Sequence, residues 1–218
     1  VLAVKSDFYM LLQCPDHNGI FSSKALDILK QNISNYTILS IGNGMQKNNV
    51  TIALVEQALK SDKKIVLDAD AIWAAGKNIN LLKREAITIL TPHIKEMSDL
   101  TGIHITTILA NPFEVARDFS KEYKKCVLIL KSSQTFIAYQ GSVFVLDAQN
   151  AGLAKGGSGD ILCGIVVAML GQTKDPLQAA LCAAYIHSQS AKLDIDSACF
   201  MPEDIINNIP NVLKKLRS

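Results

Sequence analysis

Short, mainly apolar and β-branched runs recur along this chain, and each one stops at a polar or glycine turn before a longer segment of helical spacing. Runs over 36–41, 64–67, 86–90 and 126–130 end in Gly42-Asn43-Gly44, Asp68-Ala69-Asp70, Thr91-Pro92-His93 and Lys131-Ser132-Ser133. Helical patterns over 50–59, 71–75, 95–100 and 112–121 lie between and beside them. A strand that is apolar at every position buries both of its faces, which is the mark of a parallel sheet covered by helices on both sides. Two further runs, 136–139 and 143–146, flank Gln140-Gly141 and predict a hairpin that adds antiparallel strands late in the sheet. Helices over 159–170, 176–193 and 202–216 complete an α/β fold.

The 218 residues are 49% hydrophobic and 19% charged, enough apolar material for one sizeable core, so a single domain over 1–218 is expected. Lys and Arg number 22 against 20 Asp and Glu, with no basic block interleaved with aromatics, so no nucleic-acid partner is expected. The longest apolar run, 161–170, is far shorter than a bilayer span, and no membrane partner is expected. Five cysteines, odd in number and without a C-x-x-C pair, read as free thiols of a reducing compartment. Val1 opens without a basic and apolar leader, and a cytoplasmic location is expected.

Polar residues gather where the strands stop, and open α/β sheets bind ligands outside the carboxyl ends of their strands. A glycine-rich stretch, Asn150 to Asp160, then opens the apolar helix of 161–170. It matches neither the Gly-Lys-Ser/Thr loop nor the dinucleotide Gly-x-Gly-x-x-Gly. Amides of such a loop and of the first helical turn suit an anion. Asp160 would repel a phosphate, so it fits a base or a metal-linked group beside one, and the combination suggests phosphoryl transfer to a hydroxyl. The other reading is a capped helix, with Ser158 or Asp160 accepting from N-terminal amides. Asp68 and Asp70 end the second run, a place where either can cap the following helix. His17, His104 and His187 lack metal-ligand spacing and read as loop, turn and helix residues.

Taken in order, Ile41-Gly42-Asn43-Gly44, Leu67-Asp68-Ala69-Asp70-Ala71, Thr91-Pro92-His93-x-x-Glu96-Met97, Lys131 to Thr135, and Gly156-Gly157-Ser158-Gly159-Asp160 resemble the NAD(P)H-hydrate dehydratase family of the ribokinase-like superfamily. The resemblance runs from about Ile38 to the end. It implies a three-layer ribokinase-like sandwich with a mostly parallel sheet. It also implies an enzyme that restores NADH or NADPH from hydrated NADH or NADPH, using ADP or ATP with Mg²⁺. By the same resemblance Asp160 is the base, Gly157 and Gly159 stabilise the moving phosphoryl group, and Gly44, His93, Glu96 and Asp160 meet the hydrated substrate. Lys131, Ser132, Ser133, Gln134 and Thr135, with Gly156 and Gly159, correspond to the nucleotide contacts, while Asp68 and Asp70 either orient water around Mg²⁺ or cap the following helix. A homo-oligomer and an upstream epimerase domain are further implications.

The chain departs from the family pattern in four places. Asn43 stands where the family usually has proline, with both flanking glycines kept. Ser132 follows Lys131 in place of glycine, a cost if that position needs positive φ. Lys155 replaces a usual Thr and either favours phosphate or points to solvent. The given sequence opens at Val1 without the family's first strand and helix, so a fragment, or one piece of a longer chain, is expected. Two other functions are consistent with the motifs: a vitamin-precursor kinase with the same base, and a nucleotide-binding module without turnover.

Overall fold

In the computed structural model, the described residues are 12–147, 151–193, 195 and 199–217. Asn150 of the glycine-rich stretch lies outside them, as do the first eleven residues. A two-residue hairpin, β1 (Asp16–His17) with β2 (Ile20–Phe21), precedes α1 (Lys24–Asn32). Strands β3 (Ile38–Ile41), β4 (Lys64–Leu67), β5 (Thr88–Leu90) and β6 (Cys126–Lys131) follow, with β7 (Thr135–Tyr139) and β8 (Ser142–Leu146) behind them. Helices α2 (Asn49–Leu59) and α3 (Asp70–Gly76) make the first two crossovers. Three helices, α4 (Ile94–Thr101), α5 (Ile105–Ala110) and α6 (Pro112–Glu122), make the third. After the sheet come α7 (Ser158–Gln172), α8 (Pro176–Ser190) and α9 (Pro202–Arg217).

The six main strands lie in sequence order from β3 to β8. The first four are parallel and the last two antiparallel, as the sequence pattern predicts. A sequential order moves the chain the same way at every crossover, and right-handed crossovers then put all the connecting helices on one face. That face holds α2, α3, α4, α5 and α6, packed on Ile65, Leu67, Leu90, Leu128 and Leu130. The alternate residues Val66, Ile89, Val127 and Ile129 meet α7, α8 and α9 on the other face. The period of two along each apolar strand thus divides it between two cores, which is why no polar alternation was visible.

The β7–β8 turn uses Gln140 at φ 49° and Gly141 at φ 84°, the paired positive values of a two-residue hairpin. Pattern reading did not anticipate α1, the small hairpin or α5. The hairpin strands span two residues each and α5 six, and His104 opens α5 by accepting from the Thr106 amide rather than flanking a turn. Burial lifts the thiols of Cys126 and Cys163 to about 12 and about 11, so both are inert. Among the described residues no helix is long and apolar enough to cross a membrane.

Candidate active site

Parallel pairing brings the carboxyl ends of β3 to β6 to one edge. The register Lys131↔Thr135 turns the chain back at that edge, and Thr135↔Leu146 returns β8 to it. β8 therefore ends beside the carboxyl ends of β3 to β6, although it lies far from the first of them in sequence.

Asp68 is the hub of this edge. Its side chain is almost wholly buried, where an unpaired carboxylate would be severely penalised. Thr91 Oγ1 donates to Oδ1 at 2.7 Å and Lys131 Nζ at 3.3 Å, while Asn43 Nδ2 donates to Oδ2 at 3.0 Å. Asn43 Nδ2 also donates to Asp160 Oδ1 at 2.5 Å. Both partners of this amide are carboxylates, so its nitrogen rather than its oxygen faces them.

Backbone geometry brings Asn43 into reach. A Cβ on Gly42 would lie 1.7 Å from the carbonyl oxygen of Asp68, so only glycine allows the two chains to approach this closely. Gly44 has φ 71° and no atom within 4 Å of such a Cβ, so the turn expected around Asn43 is present and opens outward. Ala69 sits at φ 48° between the two aspartates, a strained conformation for a residue with a Cβ. Asp70 points away from the cleft and accepts from the Gln46 amide at 2.8 Å, pinning the loop that follows Gly44.

The glycine segment enters α7 through Gly157 at φ 93°. Ser158 and Asp160, the side chains that a simple capped helix would turn on its own amides, engage His187 and Asn43 instead. A Cβ on Gly159 would lie 3.4 Å from Lys131 Nζ, so that glycine leaves room for the cation beside the helix start. Helix geometry leaves the first-turn amides without intrahelical acceptors. Lys155 lines the cleft that joins these groups, and its Nζ donates to the Phe200 carbonyl at 2.6 Å, tying the loop to the segment just before α9.

His187 lies directly beneath this segment. Its Nε2 is 2.9 Å from the Ser158 carbonyl oxygen and 3.0 Å from Ser158 Oγ. A carbonyl only accepts, so Nε2 carries the proton. Burial pulls the imidazole pKa down to about 4, leaving the ring neutral. Its sequence context, an alanine-rich helix, carries no sign of this contact.

His93 caps α4. Its Nδ1 accepts from the Glu96 amide at 3.1 Å, and Glu96 Oε2 accepts from the His93 amide at 2.8 Å. With Nδ1 accepting, Nε2 bears the proton of the neutral ring and faces Glu96 Oε1 at 3.3 Å. Beside it, the Ser132 amide donates to the Gln134 carbonyl at 2.9 Å and closes the turn after β6. Ser132 is not among the residues at positive φ, so the cost attached to losing glycine there does not arise.

A cleft of about 640 Å³ joins these groups, lined by Asp68, His93, Glu96, Lys131, Ser132, Ser133, Thr135, Gly156, Gly157, Gly159, Asp160 and His187. Gln134, Asp70 and Gly44 do not line it. Gly44 and Asn43 line an adjoining groove of about 430 Å³ whose walls, including Phe21, Ile28 and Leu39, are mainly apolar. Asn43 and Asp160 stand where the two openings meet. A larger hollow of about 700 Å³ lies at the opposite edge of the sheet, between Leu59 and Ala86. There Arg84 is occupied with the carbonyls of Ser61 and Lys63.

The fold is that of a ribokinase-like α/β protein. A ribokinase-like superfamily protein of Enterococcus faecalis superimposes with a TM-score of 0.71 at 24% identity, over 88% of this chain and 68% of its own. The chain belongs to the NAD(P)H-hydrate dehydratase family, whose model matches residues 10–211. It is 32% identical to a bifunctional NAD(P)H-hydrate repair enzyme of Moorella thermoacetica, over 99% of this chain but only 42% of that protein. The ADP/ATP-dependent NAD(P)H-hydrate dehydratase of Bacillus subtilis, co-crystallised with ATP and Mg²⁺, superimposes with a TM-score of 0.73 at 30% identity. That match covers 83% of this chain and 65% of the other.

Proposed function

We propose that the protein restores NADH and NADPH from their ring-hydrated forms at the expense of ADP or ATP. The observation that carries this reading is the exposed carboxylate of Asp160 at the start of α7, beside glycine amides and Lys131 and at the mouth of an apolar groove. The groove suits a nicotinamide ring, and the cleft with its amides and cation suits phosphates.

The hydroxyl on the hydrated ring is a poor leaving group. Asp160 accepts its proton while the oxygen attacks the terminal phosphorus of the nucleotide, whose bridging P–O bond breaks with its electrons on the departing nucleotide. Amides of Gly157 and Gly159 and the ammonium of Lys131 stabilise charge on the transferring group. The ring nitrogen then expels phosphate, a proton leaves the neighbouring ring carbon, and the double bond returns. His93 and Glu96 line the cleft as substrate contacts, and the turn from Lys131 to Thr135 receives the nucleotide.

Mg²⁺ fits as a companion of the nucleotide rather than as a resident of a protein cage. Among the described residues no three His, Cys, Asp or Glu side chains cluster to hold a metal. Both Asp68 oxygens already accept from protein donors, which leaves water-mediated contact with Asp68 and Asp160. Bound there, the ion would offset phosphate charge. An epimerase domain elsewhere in the full-length chain and assembly into a homo-oligomer belong to the same proposal, as does a cytoplasmic setting.

Recovery of NADH absorbance from the hydrated cofactor, with Mg²⁺ and either ADP or ATP, tests the reading in the full-length protein. Nucleotide-dependent recovery with release of free phosphate supports it. Accumulation of a phosphorylated alcohol would mark a kinase, and nucleotide binding without turnover a non-catalytic module.

A further inference from the structure

We propose that Asn43 is a positioning residue for the reaction, acting through Asp160. The inference rests on reading Asp160 as the base, and its own support is geometric. Asp160 is exposed at the rim of two openings, where a free carboxylate on the first turn of a helix has several rotamers to choose from. One side-chain amide uses its two N–H groups on two carboxylates, Asp68 Oδ2 at 3.0 Å and Asp160 Oδ1 at 2.5 Å. The Asp68 end is fixed, because that carboxylate is buried and held by Thr91 and Lys131. The Asn43 end is fixed too, since Gly42 packs its backbone against the Asp68 carbonyl.

Asn43 therefore transmits the rigidity of the sheet edge to an exposed base. It occupies one oxygen of Asp160 and leaves the other to receive a proton. It also separates two carboxylates that would otherwise repel one another across the same gap. No other residue type of this size does both. Serine has one donor, aspartate has none and adds a third negative charge, and proline preserves a stiff turn while offering no side-chain donor.

Although Asn43 also lines the groove assigned to the ring, the inferred contribution falls chiefly on the chemical step, carried by its bond to Asp160. In the full-length protein, Asn43→Ala and Asn43→Pro are expected to lower kcat for NADH recovery on the order of tenfold to a hundredfold. KM for hydrate and for nucleotide should stay within about threefold, the pattern of an interaction that matters chiefly in the transition state. Asn43→Ser, keeping one donor, should recover part of the loss, and near-isosteric Asn43→Asp should lose most. Thermal midpoints are recorded alongside, and Asn43→Pro, the residue the family usually has there, serves as the folded reference should Asn43→Ala destabilise the loop.

Wild-type kcat in Asn43→Pro would overturn the inference, because the turn alone would then suffice. A rise in KM at unchanged kcat would also overturn it, making Asn43 a binding contact. Asp160→Asn is run in parallel: if it keeps full turnover, the base assignment itself falls, whatever the Asn43 variants do. If it abolishes turnover while the Asn43 variants stay at wild-type rates, only the present inference fails.

Discussion

Segments 155–160 and 42–46 meet through the Asn43–Asp160 bond, one lining the cleft and the other the groove, and are anchored by different means. The first is held from beneath, by buried His187 on the Ser158 carbonyl and by Lys155 on the Phe200 carbonyl. Its contribution to the cleft is mostly backbone, plus one carboxylate. The second is held from its flanks. Asn48 caps α2, Thr51 Oγ1 donates to the carbonyls of Met45 and Gln46, and Asp70 accepts from the Gln46 amide. Its contribution is a side chain, Asn43, set in place by a glycine that lets two backbones touch. A site that works through amides needs a rigid floor, whereas one that works through a side chain needs only a well-placed Cα.

The largest effect expected on this comparison comes from Asp160→Asn, where the segments meet. Turnover should fall by about 10²- to 10⁴-fold with nucleotide affinity largely kept, read as kcat from NADH recovery beside a direct nucleotide titration. Unchanged turnover would remove Asp160 as the base and leave the two segments merely adjacent.

Gly42→Ala tests the flank-held segment next. Its Cβ would collide with backbone rather than with a movable side chain, so a loss of about 3 kcal/mol is expected, seen as a lower urea midpoint at unchanged m. Gly44→Ala, two residues on, meets no atom within 4 Å and should lose only about 1 kcal/mol from its positive φ. Equal losses at the two positions would show that close approach to Asp68 is not what demands glycine.

His187 tests the floor through pH. Its folded pKa of about 4 lies below the ordinary 6.5. The unfolded state therefore binds the extra proton first as pH falls. Stability from this residue is complete above about 6.5, declines between 6.5 and about 4, and levels off below, a loss on the order of 3 kcal/mol. Urea unfolding at pH 7 and pH 4.5 measures it, and His187→Asn should flatten that part of the slope. An unaltered slope would mean that the ring is not held neutral beneath the loop.

Ala69→Gly should have the smallest effect, a gain of about 1 kcal/mol or less, as relief of its φ of 48° is partly offset by the greater freedom of the unfolded chain. A clear loss of stability would show that the Ala69 methyl packs usefully in spite of its backbone.

Much of this molecule was legible in its residues because the relevant signals are local. Continuous apolar strands ending in turns dictated a parallel sheet, Gln140-Gly141 marked the hairpin, and the glycines before Asp160 marked a backbone-lined helix start. These features are written in periods of two and 3.6 and in conformations that only glycine accepts cheaply. What the sequence could not decide was pairing across distance. Asn43 read only as a departure from a family pattern, yet it bridges Asp68 and Asp160, 25 and 117 residues away. His187 read as an ordinary helix residue, yet it supports Ser158 from 29 residues away. Lys155 read as a question between phosphate and solvent, and the fold adds a partner that neither reading held, the Phe200 carbonyl 45 residues away. A hydrogen bond depends on where two atoms end up to within a few tenths of an ångström, and only the folding of the sheet and its two helical layers sets that distance.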